Sequence, residues 1–242
     1  MFHTDLGSNL FTGQIPESIG RLGKLKELYL DQNNLQHTIP DVFSGLTQLH
    51  TVTLSENDLT STLPASLVQV KSLKYLEAFS NNLNGALPST WHCKLLKECL
   101  LHDNQFSSTI PSAIFKRTMT VLDLSNNNLE GSIVIDATKK PLKLAELDVS
   151  NNNLSGSLDP KIGSLSTLQH VSIDNNKISG KIPREWSSLN QLQELNIHST
   201  DLTGSVPAGV CALTESGKLE SFSANCSGSS PQIQCACCTL CV

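Results

Sequence analysis

The chain is 242 residues long with a net charge of −5 and only 16% charged residues, against roughly 25% in an average soluble domain. Its 17 Lys and Arg residues are scattered instead of clustered, so the electrostatic footprint of a phosphate-backbone binder is missing and no nucleic-acid partner is expected. No run approaches the ~18 apolar residues needed to span a bilayer, and the opening MFHTDLGSNLF lacks the basic and apolar regions of a signal peptide, so no membrane span is expected in this chain.

From its first residues the sequence repeats. Leu6, Asn9, Phe11, Gly13, Ile15 and Pro16 set a pattern that returns in units opening at Met1, Leu25, Leu49, Leu73, Leu96, Met119, Leu144, Leu168 and Leu192, and in degenerate form at Leu219. The step is almost always 23 to 25 residues. A fixed period in that range means supersecondary units too thin to bury their own apolar face, so that neighbours must stack into one continuous core. Because residue 1 already falls inside a unit, the reading predicts that a preceding polar cap, and with it any signal peptide, is absent from this chain.

Each unit, or rung, reads L-x-x-L-x-L-x-x-N-x-L-x-G-x-I/L-P, as in Leu168-Val171-Ile173-Asn176-Ile178-Gly180-Ile182-Pro183. The x-L-x-L-x segment alternates with period two, which predicts a short strand with one buried face. Stacked rung on rung, these strands should form a parallel sheet. The asparagines at the ninth position (Asn9, Asn33, Asn57, Asn81, Asn104, Asn127, Asn152 and Asn176) should turn inward and satisfy backbone groups that the bend strips from the sheet; Thr200 breaks this series. Cys93 and Cys99 sit at apolar positions and read as small core residues.

After Pro207 the period lapses, and Cys211, Cys226, Cys235, Cys237, Cys238 and Cys241 gather in the last segment. A short loop-rich cap has too little core of its own, so disulfides are its expected staple. Six cysteines allow 15 pairings, and the sequence does not choose among them. A metal thiolate site is the competing reading, but zinc usually takes two separated C-x₂-C knuckles. No metal or cofactor is expected.

This pattern resembles the leucine-rich repeat family, and its G-x-I-P tail resembles the plant-type subclass found in receptor-like kinases, polygalacturonase inhibitors and secreted algal repeat proteins. The resemblance implies an α/β fold: a right-handed solenoid curved as a horseshoe, with a concave parallel β-sheet, a second short sheet at the G-x-I/L-P segments, and short helical or 3-10 turns on the convex side. It covers nine repeats in residues 1–207, with residues 208–242 as degenerate last rung and cysteine-rich cap. His37, Ser61 and Ser108 replace the glycine, and Val134 and Asp159 the proline. These departures are expected to weaken the second sheet locally.

In such a scaffold function lies in the exposed strand positions of the concave face. The N-terminal half presents Tyr29, Tyr75, Phe79 and Leu100 beside Glu77, Glu98 and His102, whereas from Asp123 onward the face is small and polar. Large apolar groups at positions unneeded by the core mark a contact patch, and these seven residues are the candidate ligand site. Thr51, Thr53 and Ser55 should be exposed on the same face. For catalysis, His102 beside Asp103 and His170 near Asp174 could be imagined as acid/base pairs, but no nucleophile motif accompanies them and no enzyme is expected. Asn153 and Asn225 begin N-x-S/T sequons, with Asn153 the more accessible.

The expected function is a non-catalytic module, extracellular or at the cell surface, binding a protein, peptide or glycan. The family implies two settings, a free secreted protein or the ectodomain of a receptor-like serine/threonine kinase. A structural or ice-binding role is a further alternative, because a regular ladder of Asn, Ser and Thr could match a crystal or polymer.

Overall fold

The computed structural model describes residues 2–136, 142–229 and 231–242. Nine three-residue strands, from His3–Asp5 through Glu27–Tyr29, Thr51–Thr53, Tyr75–Glu77 and Glu98–Leu100 to Glu194–Asn196, pair in parallel in sequence order, and Ser221–Ala224 and Leu240–Cys241 continue the sheet to eleven strands among the described residues. Register is kept without slippage, so that Glu27 lies beside Thr51, Thr51 beside Tyr75 and Tyr75 beside Glu98. Period-two alternation buries the middle residue of each three-residue strand from Glu27–Tyr29 onward, Leu28, Val52, Leu76 and Cys99 among them, and leaves the flanking residues as two columns facing the concavity. The chain is a leucine-rich solenoid of stacked parallel strands.

A second parallel sheet of nine strands runs from Thr12–Gly13 to Asp201–Leu202. It is not interrupted where glycine is replaced. His37, Ser61 and Ser108 keep positive φ angles of 68°, 72° and 68°, like Gly85 and Gly131 at the same rung position, and each still pairs with its neighbour. The ladder runs through these residues, which bear the left-handed backbone at a cost in strain.

Short 3-10 turns such as Glu17–Arg21 and Arg184–Ser188, and the helices Ala65–Val68 and Ala208–Glu215, complete the convex side. Proline sets the extended backbone that precedes several of them, and where Asp159 replaces it the carboxylate accepts the Lys161 N–H at 2.9 Å as an N-cap. Neighbouring turns approach closely. A Cβ on Gly163 would lie 2.2 Å from the Glu185 carbonyl oxygen.

The asparagine ladder ties the rungs together. Asn127 Nδ2 donates to the carbonyls of Leu101 at 3.1 Å, Leu124 at 3.1 Å and Ser125 at 3.0 Å, while its Oδ1 accepts the Phe106 N–H at 2.9 Å. Asn57, Asn104, Asn152 and Asn176 repeat this arrangement. At Thr200 the side chain contributes a bond from its hydroxyl to the Ile197 carbonyl, at 2.8 Å. The cysteine-rich tail does more than cover the last layer: Leu240–Cys241 extends the concave sheet, and Ile233–Gln234 pairs with Gly204–Ser205 beside the second. No apolar alternation announces these two strands in the sequence.

Candidate functional site

Tyr29, Glu77 and Leu100 share one concave column and Tyr75 and Glu98 the other, with Phe79 and His102 just past the strand ends. The structure brings all seven onto one face. None stands clear of it; each is half-buried against its neighbours. The Tyr29 hydroxyl donates to Glu27 Oε2 at 3.4 Å, and burial first, then Glu27, raises its pKa. Lys97 Nζ lies 6.0 Å from the centre of the Tyr75 ring. Phe79 stacks on His102, and its backbone N–H donates to Ser55 Oγ at 3.1 Å.

Thr51, Thr53 and Ser55 overturn the expectation of exposure. They keep 8%, 6% and 2% of their surface, because the larger side chains of the rungs on either side overhang them. The third rung is thus the floor of a trough, with Thr53 Oγ1 donating to Asp31 Oδ1 at 2.6 Å. Periodicity assigns a face; only the sizes of neighbours set its depth.

The C-terminal half of the concavity forms an open depression of about 440 Å³ lined by Glu146, Asp148, Ser150, His170, Asp174 and Glu194 among others. Asp148 Oδ1 accepts from the Ser150 backbone N–H at 2.9 Å and hydroxyl at 2.7 Å. Burial raises the Asp148 pKa against those bonds, and Asp123 and Asp174 push the same way. Glu77 is raised likewise, by burial and then by Glu98 and Asp31. His170 Nδ1 lies 3.4 Å from Glu194 Oε2, while Asp174 faces His198 at 3.8 Å, so the imagined His170–Asp174 pair is not the one that forms. His102 Nδ1 does lie 2.8 Å from Asp103 Oδ2.

In the cap the six cysteines form three disulfides, Cys211–Cys237, Cys226–Cys241 and Cys235–Cys238. Cys93 and Cys99 are free and buried. Asn153 is exposed. Asn225 is engaged: its Nδ2 donates to the Thr200 carbonyl at 3.0 Å and Gln232 Oε1 at 2.7 Å, and its Oδ1 accepts the Ser199 N–H at 2.6 Å. Among the described residues no helix is long and apolar enough to cross a membrane.

Residues 23–83 and 142–202 match a family model described as leucine rich repeat, and residues 118–138 match a second of the same description. The chain belongs to the leucine-rich repeat family. A search of curated proteins returns no significant match. Among solved structures this leucine-rich repeat protein is similar to the Arabidopsis receptor kinase HAESA in complex with the peptide hormone IDA and the co-receptor SERK1, at 29% identity and a TM-score of 0.85 over 93% of this chain and 38% of that one. It is also similar to the plant peptide hormone receptor RGFR1 in complex with RGF2, at 28% identity and a TM-score of 0.75 over 97% of this chain and 40% of that one. A plant ice-binding protein is 25% identical with a TM-score of 0.61 over 96% of this chain and 83% of that one. The chain therefore spans well under two thirds of the two receptors. These likenesses and the G-x-I-P tails make it a plant-type repeat protein resembling receptor-kinase ectodomains.

Proposed function

We propose that this protein is a non-catalytic, extracellular binding module whose concave face recognises an extended peptide. The observation that carries the reading is the patch of Tyr29, Tyr75, Phe79 and Leu100, large groups projecting from columns where the core is already filled by Leu28, Leu76 and Cys99. Such residues are unexplained by stability, and aromatic anchors dominate interface energetics. Likeness to receptor ectodomains in complex with peptide hormones supports a peptide over a glycan, and three disulfides support an oxidising compartment. The reading holds for a free secreted protein and for the ectodomain of a receptor-like kinase.

Panning a random twelve-residue phage-displayed peptide library against the immobilised chain tests it. Enriched peptides should bind Phe79→Ala and Tyr75→Ala at least tenfold more weakly, about 1.4 kcal/mol, with circular dichroism unchanged. Binding indifferent to both variants would place the ligand elsewhere.

A second reading is favoured by one observation. Exposed hydroxyls recur along the second sheet at Thr38, Thr60, Thr109, Ser155 and Ser157, and this chain spans 83% of the ice-binding protein it is similar to. Inhibition of ice recrystallisation, lost in Thr60→Lys and Thr109→Lys, would support that role; no inhibition by the intact protein would remove it.

A further inference from the structure

The concave face segregates charge. Its concave-face positions carry Asp5, Glu27, Asp31, Glu77 and Glu98 in the first five rungs and Asp123, Glu146, Asp148, the more deeply buried Asp174 and Glu194 in the next four, with no Lys or Arg at any of them. The cations nearest the strands, Lys26, Lys74 and Lys97, stand one residue before the columns begin. The scaffold does not ask for these carboxylates, because Thr53, Ser172 and Asn196 fill equivalent places in the same sheet. Like charges on adjacent strands are destabilising, and here they are partly desolvated. Burial raises both Glu77 and Asp148, and neighbouring carboxylates add to the shift. Histidines, hydroxyls and amides lie beside them, as where His170 meets Glu194 and Ser150 meets Asp148. A sheet face of this kind lacks fixed counter-charge of its own, and a partner that brings it gains both Coulomb energy and orientation.

Resting on the concave-face reading above, we propose that the ligand is a cationic peptide, with apolar residues packed on Tyr29, Tyr75 and Phe79 and with Lys or Arg side chains seated in the depression lined by Glu146, Asp148, Asp174 and Glu194. The spacing follows from the stack. Strands in register lie about 4.8 Å apart, so the four or five steps from the Tyr75 rung to the His170 and Glu194 rungs cover roughly 19 to 24 Å. An extended chain rises about 3.3 Å per residue. The apolar and basic ends of the peptide should therefore stand about six or seven residues apart, and a twelve-residue segment reaches both halves.

The composition and salt response of peptides enriched from the twelve-residue library test this. Enriched peptides should carry Lys or Arg about six residues from an aromatic or aliphatic residue, and their affinity should fall at least tenfold between 50 and 500 mM NaCl. Asp148→Asn with Asp174→Asn, and separately Glu146→Gln with Glu194→Gln, should each weaken binding at least tenfold and flatten the salt response while circular dichroism stays unchanged. Two pairs are made because the first is partly buried and could disturb packing; the second is more exposed. Enrichment of neutral or acidic peptides, or of basic ones indifferent to both pairs, overturns the cationic ligand. If those peptides still depend on Tyr75 and Phe79, the concave-face reading survives alone. No enrichment, or binding indifferent to every variant, overturns both.

Discussion

The ring of Phe79 lies parallel to the imidazole of His102 in the next rung, 4.5 Å between centroids and 9° between planes. His102 is in turn held by Asp103, its Nδ1 lying 2.8 Å from Oδ2. The aromatic group at the centre of the candidate patch is thus oriented before any ligand arrives, which reduces the ordering cost of binding. Phe79→Ala should lower stability by only about 1 kcal/mol, the scale of one aromatic pair, while weakening peptide binding tenfold or more. Thermal melts and binding isotherms on the same preparation separate the two effects; a large loss of stability with unchanged affinity would assign Phe79 to the scaffold.

The asparagine ladder predicts unequal costs along one column of the sequence. Asn127→Ala strands the Phe106 N–H and removes the bonds to three carbonyls. Leaving buried polar groups unsatisfied costs about 1 to 3 kcal/mol each, so a loss of about 3 kcal/mol or more is expected in urea melts. Thr200→Ala, which removes a single bond from the hydroxyl to Ile197, should cost about 1 kcal/mol.

Backbone handedness and close approach make two kinds of substitution act in opposite directions. His37, Ser61 and Ser108 occupy left-handed φ values that suit glycine, so Ser61→Gly and Ser108→Gly should each stabilise by about 0.5 to 1 kcal/mol, the relief of strain less the added freedom of the unfolded chain. Gly163→Ala should destabilise by about 1 to 3 kcal/mol or more, since its Cβ would meet the Glu185 carbonyl oxygen at 2.2 Å. Differential scanning calorimetry on the three variants checks both signs.

Asp148 carries a pH signature. Its carboxyl pKa is raised in the folded chain, burial being the largest cause, so the native state holds that proton more tightly than the unfolded state, whose value is about 3.9. Below that value both states are protonated and nothing is lost. As pH rises through the raised native value, the folded state alone bears the poorly solvated charge, and stability falls. Asp148→Asn keeps an acceptor for Ser150 and should raise the melting temperature at pH 7, with the difference from the parent chain vanishing near pH 3. An equal difference at both values would assign the effect to packing.

Thiol counting separates the two classes of cysteine. The native protein from an oxidising host should show no reactive thiol, because six cysteines are bridged and Cys93 and Cys99 are buried, with burial pushing the Cys93 thiol up to about 11 and Cys99 well up too. Unfolding in guanidinium without reductant should release two. Six or more under native conditions would mean the cap is reduced. Opening the cap disulfides should cost about 2 to 5 kcal/mol and loosen the last rungs first, since rung stability is largely nearest-neighbour.

The period of leucines and asparagines determined the solenoid, the strand positions, the inward asparagines from Asn33 to Asn176 and the buried Cys93 and Cys99, while Asn9 in the first rung stays exposed. It could do so because each of these depends on local alternation and on contact with a neighbour of the same sequence pattern. Whether a position at the solvent face is open or overhung depends instead on side chains 24 residues away, which is why Thr51, Thr53 and Ser55 read as exposed and are buried between larger neighbours. The partner of His170, the three disulfide pairings, the engagement of Asn225 and the added strand at Leu240–Cys241 were likewise decided only in the tertiary structure. His170 and Glu194, and Asn225 and Thr200, stand about one repeat apart, so spacing allows those contacts and only side-chain direction selects them, whereas the disulfides join residues 26, 15 and 3 apart that only the packing of the cap brings together.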